Sequence, residues 1–459
     1  MSRGGHDMTF DDQSIALLAR ALASLDEGFA NLPPFHGSAD QDKMRQVLME
    51  TARRLRDNYP YHHPLYVGQM LKPPHPVARL AYALTMWLNP NNHALDGGRA
   101  SSAMEKEAVG QISRMFGWET HLGHLCGGGT LANFEGLWIA RQLHPGKAIA
   151  ASAQAHYTHA RLSAVLDVPF RGIPVDARGR MSAAALEQAV ASGEVGTVVV
   201  TLGTTAAGAV DPLPEILALR ARHDFRIHAD CAYGGYFTLA RNLDLEARRA
   251  FDLLGQADSI VVDPHKHGLQ PYGCGCVLFR DPAVGRFYRH DSPYTYFSSS
   301  QLHLGEISLE CSRAGAAAVA LWATLQMLPL EIGGEFARGL EACREAAKSL
   351  HEALESQDRF APLFPPELDI VTWAVRAPSA TMSSARARRL FDAAARQDLH
   401  LALATFPRAM VELAAPVRDW DADQITCLRA CLMKSEHRQW LPQILQRLQI
   451  AATALDAEA

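Results

Sequence analysis

The densest group of chemically useful side chains lies in residues 263–276, which read DPHKHGLQPYGCGC. Because this segment contains an acid, two histidines, a lysine and two cysteines, three kinds of site are open. It could bind a metal, carry out redox chemistry, or present Lys266 as a reactive amine. A single lysine in an arbitrary chain is usually an exposed, unreactive side chain. The choice therefore depends on which other polar residues the fold places beside it.

The spacing of the histidines and of the cysteines gives little support to a metal site or a redox site. His265 and His267 could bind a metal together with an acid, but no CxxC or HExxH motif accompanies them. Cys274 and Cys276 are one residue closer than the C-x-x-C redox spacing, and YGCGCVLF has the pattern of a turn that enters a buried strand. We therefore predict no metal site and a packing role for these two cysteines.

Polar clusters follow the three clearest predicted strands. These strands are GTVVVT, FRIHAD and SIVVD, at residues 196–201, 225–230 and 259–263. In open α/β sheets, ligands bind beyond the carboxyl ends of the strands, where such clusters converge. The sequence therefore predicts one site that contains Thr205, Asp230, His265 and Lys266.

A glycine-rich turn precedes these strands in the segment LCGGGTLANFEGLWIAR. Gly127, Gly128, Gly129 and Thr130 lie immediately before a helical pattern that starts near Leu131. Backbone N–H groups at a helix N-terminus, beside a hydroxyl, are suited to holding a phosphate. The turn does not match a P-loop, and taken alone it could be only a tight turn.

The three kinds of group together favour one cofactor. Pyridoxal phosphate requires a lysine that forms a Schiff base, a carboxylate that keeps the pyridine nitrogen protonated, and anchors for its phosphate. Lys266, Asp230 and the Gly127–Thr130 turn supply these groups.

The elements that position these residues suggest an N-terminal helical arm and two further domains. Helical periodicity covers residues 12–30 and 40–58, and a proline-rich segment follows. From about residue 76, helices alternate with short strands, which indicates a mostly parallel sheet covered by helices. A helix over 335–357, a strand over 368–377 and terminal helices from Asp423 complete the prediction. We place the arm at 1–75, the large domain at 76–330 and a small domain at 331–459.

Composition supports small-molecule chemistry. The 459-residue chain carries a formal charge of −5, without a basic excess for binding nucleic acid or membranes. It contains neither a secretory signal pattern nor a long apolar run, so we expect a cytoplasmic protein. The eight cysteines are scattered, which argues against a disulfide framework. Cys427 and Cys431, four residues apart, fit the buried face of a helix.

The chain resembles the pyridoxal-phosphate-dependent group II amino-acid decarboxylases. The matching segments are HPLYVGQM, GGGTLANFEGLWIAR, QAHYTHARLSAV, TLGTTAAGAVDP, HADCAYGG, DPHKHG and CLMKSEH, in family order. The DPHK form and ECSRAGAAAVALW are closest in style to archaeal-type tyrosine/aspartate decarboxylases, whereas the animal aromatic enzymes usually have Asn at position 263. The resemblance implies fold type I, similar to aspartate aminotransferase: a large α/β/α domain with a mostly parallel sheet, a small C-terminal α+β domain and the N-terminal arm.

The resemblance also implies roles for individual residues. Lys266 resembles the Schiff-base lysine, and Asp230 resembles the partner of the pyridine nitrogen. His156 matches the histidine that stacks on the cofactor ring, and Ala232 matches the small residue on its other face. The remaining predicted cofactor ligands are Thr205 near the ring hydroxyl, His265 on the phosphate or substrate side, and Gly128, Gly129 and Thr130. The family usually has a serine or threonine where this chain has Cys126 and Gly127, so phosphate anchoring should rely more on backbone groups and Thr130.

A loop of the family covers the site and supplies a tyrosine that protonates the product carbon. Here residues 288–306 occupy that place, and Tyr294 and Tyr296 are the candidate donors. Asp263 is a local departure, because an acid near a phosphate costs affinity unless it points away or pairs with a cation. Family members are dimers with shared active sites, so we expect a homodimer.

The predicted function is decarboxylation of an L-amino acid, either aromatic or acidic, to the amine and carbon dioxide. Retro-aldol cleavage, oxidative deamination to an aldehyde, and an inactive scaffold on the same fold remain alternatives. An acidic substrate requires an arginine or lysine in the pocket, whereas an aromatic substrate requires an apolar slot.

Overall fold

The computed structural model describes residues 11–34, 37, 39–289, 302–412, 414 and 417–457. Within them the α-helices are α1 (Asp12–Glu27), α2 (Gln41–Leu55), α3 (Pro76–Met86), α4 (Leu95–Met115), α5 (Gly129–Leu143), α6 (Thr158–Val165), α7 (Ala183–Val190), α8 (Leu213–Arg220), α9 (Leu245–Asp252), α10 (Gly315–Met327), α11 (Glu335–Glu355), α12 (Ala380–Ala395), α13 (Arg408–Val411) and α14 (His437–Ala457). The β-strands are β1 (Leu122–Cys126), β2 (Ala148–Ser152), β3 (Phe170–Ile173), β4 (Val195–Thr201), β5 (Arg226–Asp230), β6 (Ser259–Val262), β7 (Gly275–Phe279), β8 (Phe360–Pro362), β9 (Ile370–Val375), β10 (Ala402–Pro407) and β11 (Gln424–Cys431).

The two predicted N-terminal helices are confirmed as α1 and α2. Asp11 begins the first by accepting a hydrogen bond from Ser14 N at 2.7 Å, and Asp40 caps the second through Lys43 N at 3.0 Å. Neither helix has a buried residue. Tertiary packing within one chain therefore contributes little to these helices.

A seven-stranded sheet has the order β1-β7-β6-β5-β4-β2-β3. Pairs among β2, β3, β4, β5 and β6 are parallel, and β7 runs antiparallel to both of its neighbours. Strand β4 is buried along its whole length, as a run of valines covered on both faces requires. The predicted mostly parallel sheet is confirmed, with β7 as its single antiparallel strand.

Helix α5 packs very closely against this sheet. A Cβ added to Gly136 would lie 2.3 Å from His228 Cε1, so only glycine permits this approach. The His228 ring is fixed by contacts of 2.8 Å to Asn133 Oδ1 on the helix and to Ser259 Oγ on β6. This close packing places the first turn of α5 beside the strand ends.

A second sheet, all antiparallel, has the order β10-β11-β9-β8 and packs against α11 and α12, which α14 contacts in turn. The predicted helix over 335–357 and strand over 368–377 are confirmed as α11 and β9. The prediction of helices from Asp423 is wrong, because residues 424–431 form β11 and the terminal helix begins at His437. Cys427 and Cys431 are both buried, and a spacing of four puts two residues on one face of a strand as well as a helix. The domain limits at 75/76 and 330/331 stay predictions.

The eight cysteines are free thiols, and all except Cys311 are buried. Burial raises the pKa of Cys276 well above that of an ordinary thiol. Packing is therefore the structural role of most of these thiols, as the sequence indicated.

Among the described residues, no helix is both long and apolar enough to cross a membrane.

Candidate active site

The carboxyl ends of β1, β2, β4, β5 and β6 meet at one edge of the large sheet, because β7 is the single strand that runs the other way. Beyond this edge lies a cavity of about 620 Å³, which we call the strand-end cavity. Nine residues predicted from the sequence line it: Gly128, Gly129, Thr130, His156, Thr205, Asp230, Ala232, His265 and Lys266. Tyr294 and Tyr296 lie outside the residues that the structure describes.

Asp230 is the last residue of β5 and is buried, with 5% of its surface exposed. Its Oδ2 accepts a hydrogen bond from His159 Nε2 at 2.8 Å, and its Oδ1 accepts one from Ala232 N at 3.1 Å. Burial opposes ionisation, but the hydrogen bond and charge of His159 and the charge of Lys266 outweigh it and hold the pKa of Asp230 well below its usual range. Asp230 is therefore an anion at the floor of the cavity.

Lys266 follows β6 in a turn, and its side chain is 22% exposed. Its Nζ lies 3.1 Å from Oδ2 of Asp263, a carboxylate that is itself buried. The Asp263 Oδ1 atom has no hydrogen-bond partner among the described residues. The sequence predicted that Asp263 would either point away from the site or pair with a cation, and it pairs with a cation.

The glycine turn has the geometry of an open cradle. Gly128 has φ of +146°, which a residue with a side chain rarely adopts, and a Cβ on Gly129 would lie 2.6 Å from Asp263 Oδ2. Helix α5 begins at Gly129 without a side-chain cap, so its first N–H groups have no such acceptor. Gly127 N donates instead to Glu310 Oε2 at 3.1 Å. These features suit the N-terminus of α5 to an anion.

His156 lies between β2 and α6 and is half-buried at the cavity wall. Its Nδ1 is hydrogen-bonded to Thr158 Oγ1, which fixes the orientation of the ring. Burial lowers the pKa of His156, so the ring is neutral at pH 7 and can present a flat face to a ligand. Ala232, on the turn that follows β5, lines the same cavity.

The two histidines that flank Lys266 face different parts of the protein. His265 Nδ1 donates to the Cys274 carbonyl at 2.7 Å, and its ring stacks on Tyr272 with the centroids 4.6 Å apart. The His267 ring is fully buried on the other side, with its Nε2 3.2 Å from Asp369 Oδ2. Among the described residues, no cluster of three or more His, Cys, Asp or Glu could hold a metal ion.

Sequence reasoning missed two residues near the site. His159 binds Asp230 from the first turn of α6, and the available signal was that it is the second histidine of the QAHYTH segment. Arg429 on β11 donates to the Thr205 carbonyl and to Gln69 Oε1, both at 2.9 Å. No local pattern in the sequence pointed to this arginine.

The residues of the strand-end cavity fit pyridoxal phosphate. The cofactor requires an amine, a carboxylate held ionised for the pyridine nitrogen, and an anion cradle. Lys266, Asp230 and the Gly128–Thr130 turn provide these groups around one cavity, and the positive φ of Gly128 keeps side chains out of the cradle. The donor set thus matches the cofactor group by group.

Comparison with known proteins gives the same result. Residues 140–376 match the model of the pyridoxal-dependent decarboxylase conserved domain, just over half of the chain. An L-tyrosine decarboxylase of Enterococcus faecium is 28% identical over 78% of this chain and 76% of its own length. A probable L-tyrosine/L-aspartate decarboxylase of Methanocella arvoryzae is 28% identical over 72% and 85%.

A solved structure has the same fold. The crystal structure of Oryza sativa TDC with PLP and tryptamine has a TM-score of 0.77 and 17% identity, and the match covers 99% of both chains. The fold is therefore fold type I, as the sequence predicted. Together with the match over residues 140–376, this means that the chain belongs to the pyridoxal-dependent decarboxylase family and uses pyridoxal phosphate as its cofactor.

Proposed function

We propose that this decarboxylase converts an aromatic or an acidic L-amino acid to its amine and carbon dioxide. The observation that carries the proposal is the arrangement of Lys266 and Asp230 in one cavity, with Asp230 held ionised by His159. When bound, pyridoxal phosphate supplies an electron sink for the pair of electrons that carbon dioxide leaves behind. The chain's own residues bind the reactants, orient them and move protons.

Asp230 keeps a proton on the pyridine nitrogen. A buried carboxylate close to a protonated ring nitrogen forms a strong ion pair because solvent screening is weak there. Its second oxygen is fixed by Ala232 N, so the carboxylate cannot rotate freely. Lys266 would hold the cofactor covalently, His156 and Ala232 would pack against its ring, and Thr205 would contact the ring hydroxyl; all four residues line the cavity.

Gly128, Gly129 and Thr130 at the N-terminus of α5 would hold the phosphate, and His265, which lines the same cavity, would assist them. Backbone N–H groups and the helix dipole favour an anion at this position. Asp263 would repel a phosphate; in the structure it pairs with Lys266 Nζ at 3.1 Å, and covalent attachment of the cofactor to Lys266 would alter this pair. Cys126 stands where the family usually has a serine or threonine. Its Sγ lies 3.5 Å from the Gly128 carbonyl oxygen.

Proton transfer to the product carbon is assigned to Tyr294, with Tyr296 and His156 as the other candidates. A phenol is a suitable general acid when the carbon to be protonated is strongly basic. Both tyrosines lie outside the described residues, so the assignment rests on the loop's place in the sequence.

Two observations bear on the substrate. Phe134, Leu162 and Tyr272 give the strand-end cavity an apolar part, which supports an aromatic side chain. Arg429 gives weaker support to an acidic one, because it does not line this cavity and reaches it only through the hydrogen bond from its Nη1 to the Thr205 carbonyl. The relatives include both classes, and the aromatic class is our first choice.

A homodimer is supported by the surface of the N-terminal helices. Ile15, Leu17, Val47, Leu48 and Met49 are large apolar side chains with about half or more of their surface exposed on α1 and α2. Such a surface is typical of one that a partner covers. Light scattering after size exclusion should give twice the mass of 50.1 kDa, and deletion of 1–58 should weaken the dimer. We propose a cytoplasmic location, which fractionation of cells would test.

The deciding experiment incubates the cofactor-loaded enzyme with each of the twenty L-amino acids and measures amine and carbon dioxide. One class should dominate, with the amine and carbon dioxide in equal amounts. Aldehyde with ammonia and peroxide would indicate oxidative deamination, and aldehyde with phosphoethanolamine from a phosphorylated sphingoid base would indicate retro-aldol cleavage. A chain without a borohydride-sensitive visible band would be an inactive scaffold.

A further inference from the structure

A second cavity, of about 890 Å³, lies between the proline-rich segment 62–76, the start of α11 and the segment that joins β11 to α14. It is separate from the strand-end cavity, and no residue lines both. Its wall contains Lys72, Lys434 and His267, the residue directly after Lys266. A ligand here would touch the back of the turn that carries the cofactor lysine.

Lys434 is an unusual group to find in such a wall, because it is 3% exposed and has no carboxylate partner among the described residues. Its Nζ donates to the Tyr66 carbonyl at 2.7 Å and lies 5.4 Å from the centroid of the Tyr66 ring. An ammonium group has three donors, and these contacts satisfy one of them with a neutral acceptor. A buried ammonium is costly unless an anion compensates it.

Lys72 adds a second cation to the same place. It is half-buried, and within the described part of the chain its ammonium makes neither a hydrogen bond nor an ion pair. Its charge is one of the reasons why the pKa of Lys434 is lowered, after burial, which is the larger cause. The two cations disfavour each other, and the charge of Lys72 also helps to lower the pKa of the buried Asp369. Asp369 is engaged by His267 and Tyr233, so among the described residues no acid bridges the two ammonium groups.

The acids of the cavity do not fill this role. Glu335 and Glu436 line it but are exposed, so water screens their charges. Arg438, also in the wall, already pairs with Glu345 at 2.9 Å, and Arg338 donates to the Gly333 carbonyl. Asp369 offsets part of the charge of Lys72, and the positive charge that remains is concentrated at Lys72 and Lys434.

We propose that the second cavity binds a small oxyanion, a carboxylate or a phosphate, between the ammonium groups of Lys72 and Lys434. The ligand accepts hydrogen bonds from both amines, and such charge-assisted bonds are strongest where water is excluded. Because His267 is buried in the wall with its Nε2 beside Asp369, the ligand lies against the turn that holds Lys266. The site is a place for a ligand other than the cofactor.

Anion binding here should be coupled to a proton. Burial, followed by the charge of Lys72, lowers the pKa of Lys434 to about 7, and a bound anion reverses this effect. Binding at pH 8 should therefore take up a proton, and affinity should fall as the pH rises above 7. The other titratable groups that act on Lys434, or on which it acts, are Glu436, Cys431, Cys343 and His437. Of these, His437 stays neutral, with a pKa of about 3, and the two buried thiols have raised pKa values.

The test is titration calorimetry of the holoenzyme with inorganic phosphate at constant ionic strength. The cofactor occupies the phosphate cradle of the holoenzyme, so further saturable binding lies outside that cradle, and its dependence on the two cavity lysines assigns it to the second cavity. Lys434→Met and Lys72→Met should each weaken phosphate binding about tenfold or more. The matched control Lys348→Met, an exposed lysine further along α11, should bind phosphate as the wild type does.

A parallel titration with succinate distinguishes a carboxylate from a phosphate. The anion that binds more tightly identifies which of the two the cavity prefers. Heats measured at pH 8 in buffers of different ionisation enthalpy should reveal proton uptake in the wild type and none in Lys434→Met. Absence of saturable binding of both anions, or equal affinities in the wild type and the two cavity variants, would overturn the proposal. If Lys434→Met does not fold, Lys72→Met alone decides the outcome. None of these measurements requires decarboxylation, so the outcome is independent of the proposed substrate.

Discussion

His159 Nε2 donates a hydrogen bond of 2.8 Å to Asp230 Oδ2, and both side chains are buried. Because a carboxylate only accepts, this contact places the hydrogen of the ring on Nε2. His159 thus stabilises the Asp230 anion by a hydrogen bond, as water would if the carboxylate were exposed. The pair couples α6 to the end of β5 and stabilises the charge at the base of the cavity.

Asp230→Ala should bind pyridoxal phosphate weakly and turn over orders of magnitude more slowly, because the ring nitrogen loses its anionic partner. Asp230→Asn keeps the shape and isolates the charge, so it should retain more cofactor than Asp230→Ala but stay slow. Cofactor affinity is measured by the visible absorbance of titrated apoenzyme, and turnover by amine release. Near-normal turnover of either variant would refute the role of Asp230.

His159→Leu should make cofactor binding sensitive to acid. In the wild type the pKa of Asp230 is depressed, so the contribution of its anion persists above the unfolded value and is lost only as the pH falls through the folded pKa. Without His159, burial remains and raises that pKa, so the loss occurs at higher pH. Affinities at about pH 8 and about pH 5.5 should diverge more in His159→Leu than in the wild type. His223→Leu, away from the site, is the control, and parallel pH profiles would contradict the prediction.

Gly129→Ala and Gly127→Ala form a matched pair in the glycine turn. A Cβ at Gly129 would lie 2.6 Å from Asp263 Oδ2, whereas at Gly127 the nearest atom would be Glu310 Oε1 at 3.6 Å, an ordinary contact. The first substitution should displace the N-terminus of α5 and weaken cofactor binding about tenfold or more, and the second should have little effect. Wild-type affinity of Gly129→Ala would mean that the turn does not hold the phosphate.

Substitutions of His156 separate stacking from proton transfer. His156→Phe should bind the cofactor nearly as the wild type does, and His156→Ala about three- to tenfold more weakly, since only the first keeps an aromatic face. If a loop tyrosine is the acid, His156→Phe keeps most of its kcat and Tyr294→Phe loses about 100-fold or more. Single-turnover measurements of carbon dioxide and amine check this, and the reverse pattern would assign the acid to His156.

Arg313→Met should destabilise the protein severely. Arg313 Nη1 lies 2.9 Å from Oε1 of Glu105, and both side chains are buried. Removing the arginine leaves a buried carboxylate without its cation, at a cost of about 3–5 kcal/mol. The midpoint of urea unfolding should fall accordingly, and the double variant Arg313→Met/Glu105→Met should recover part of the loss. A single variant as stable as the wild type would show that the ion pair is dispensable.

The membership of the site could be predicted because of a general property of parallel strands. The buried runs that end at Thr201, Asp230 and Val262 were recognisable, and parallel strands bring their carboxyl ends to one edge. Residues that follow such strands are therefore neighbours in space although they are far apart in the chain. The hydrophobic periodicity predicted a helix where the structure has β11, because the spacing of Cys427 and Cys431 fits one face of a strand and one face of a helix equally well.

The sequence by itself determined that Lys266, Asp230 and the glycine turn face one cavity, because strand direction and a helix N-terminus are local properties. Only the tertiary structure decided which partner each charge has: His159 for Asp230, and Asp263 for Lys266. It also decided that His265 and His267 face different cavities, and that Lys72 and Lys434 share one. Pairing between distant segments depends on how helices and sheets pack, and no local period in the chain encodes that packing.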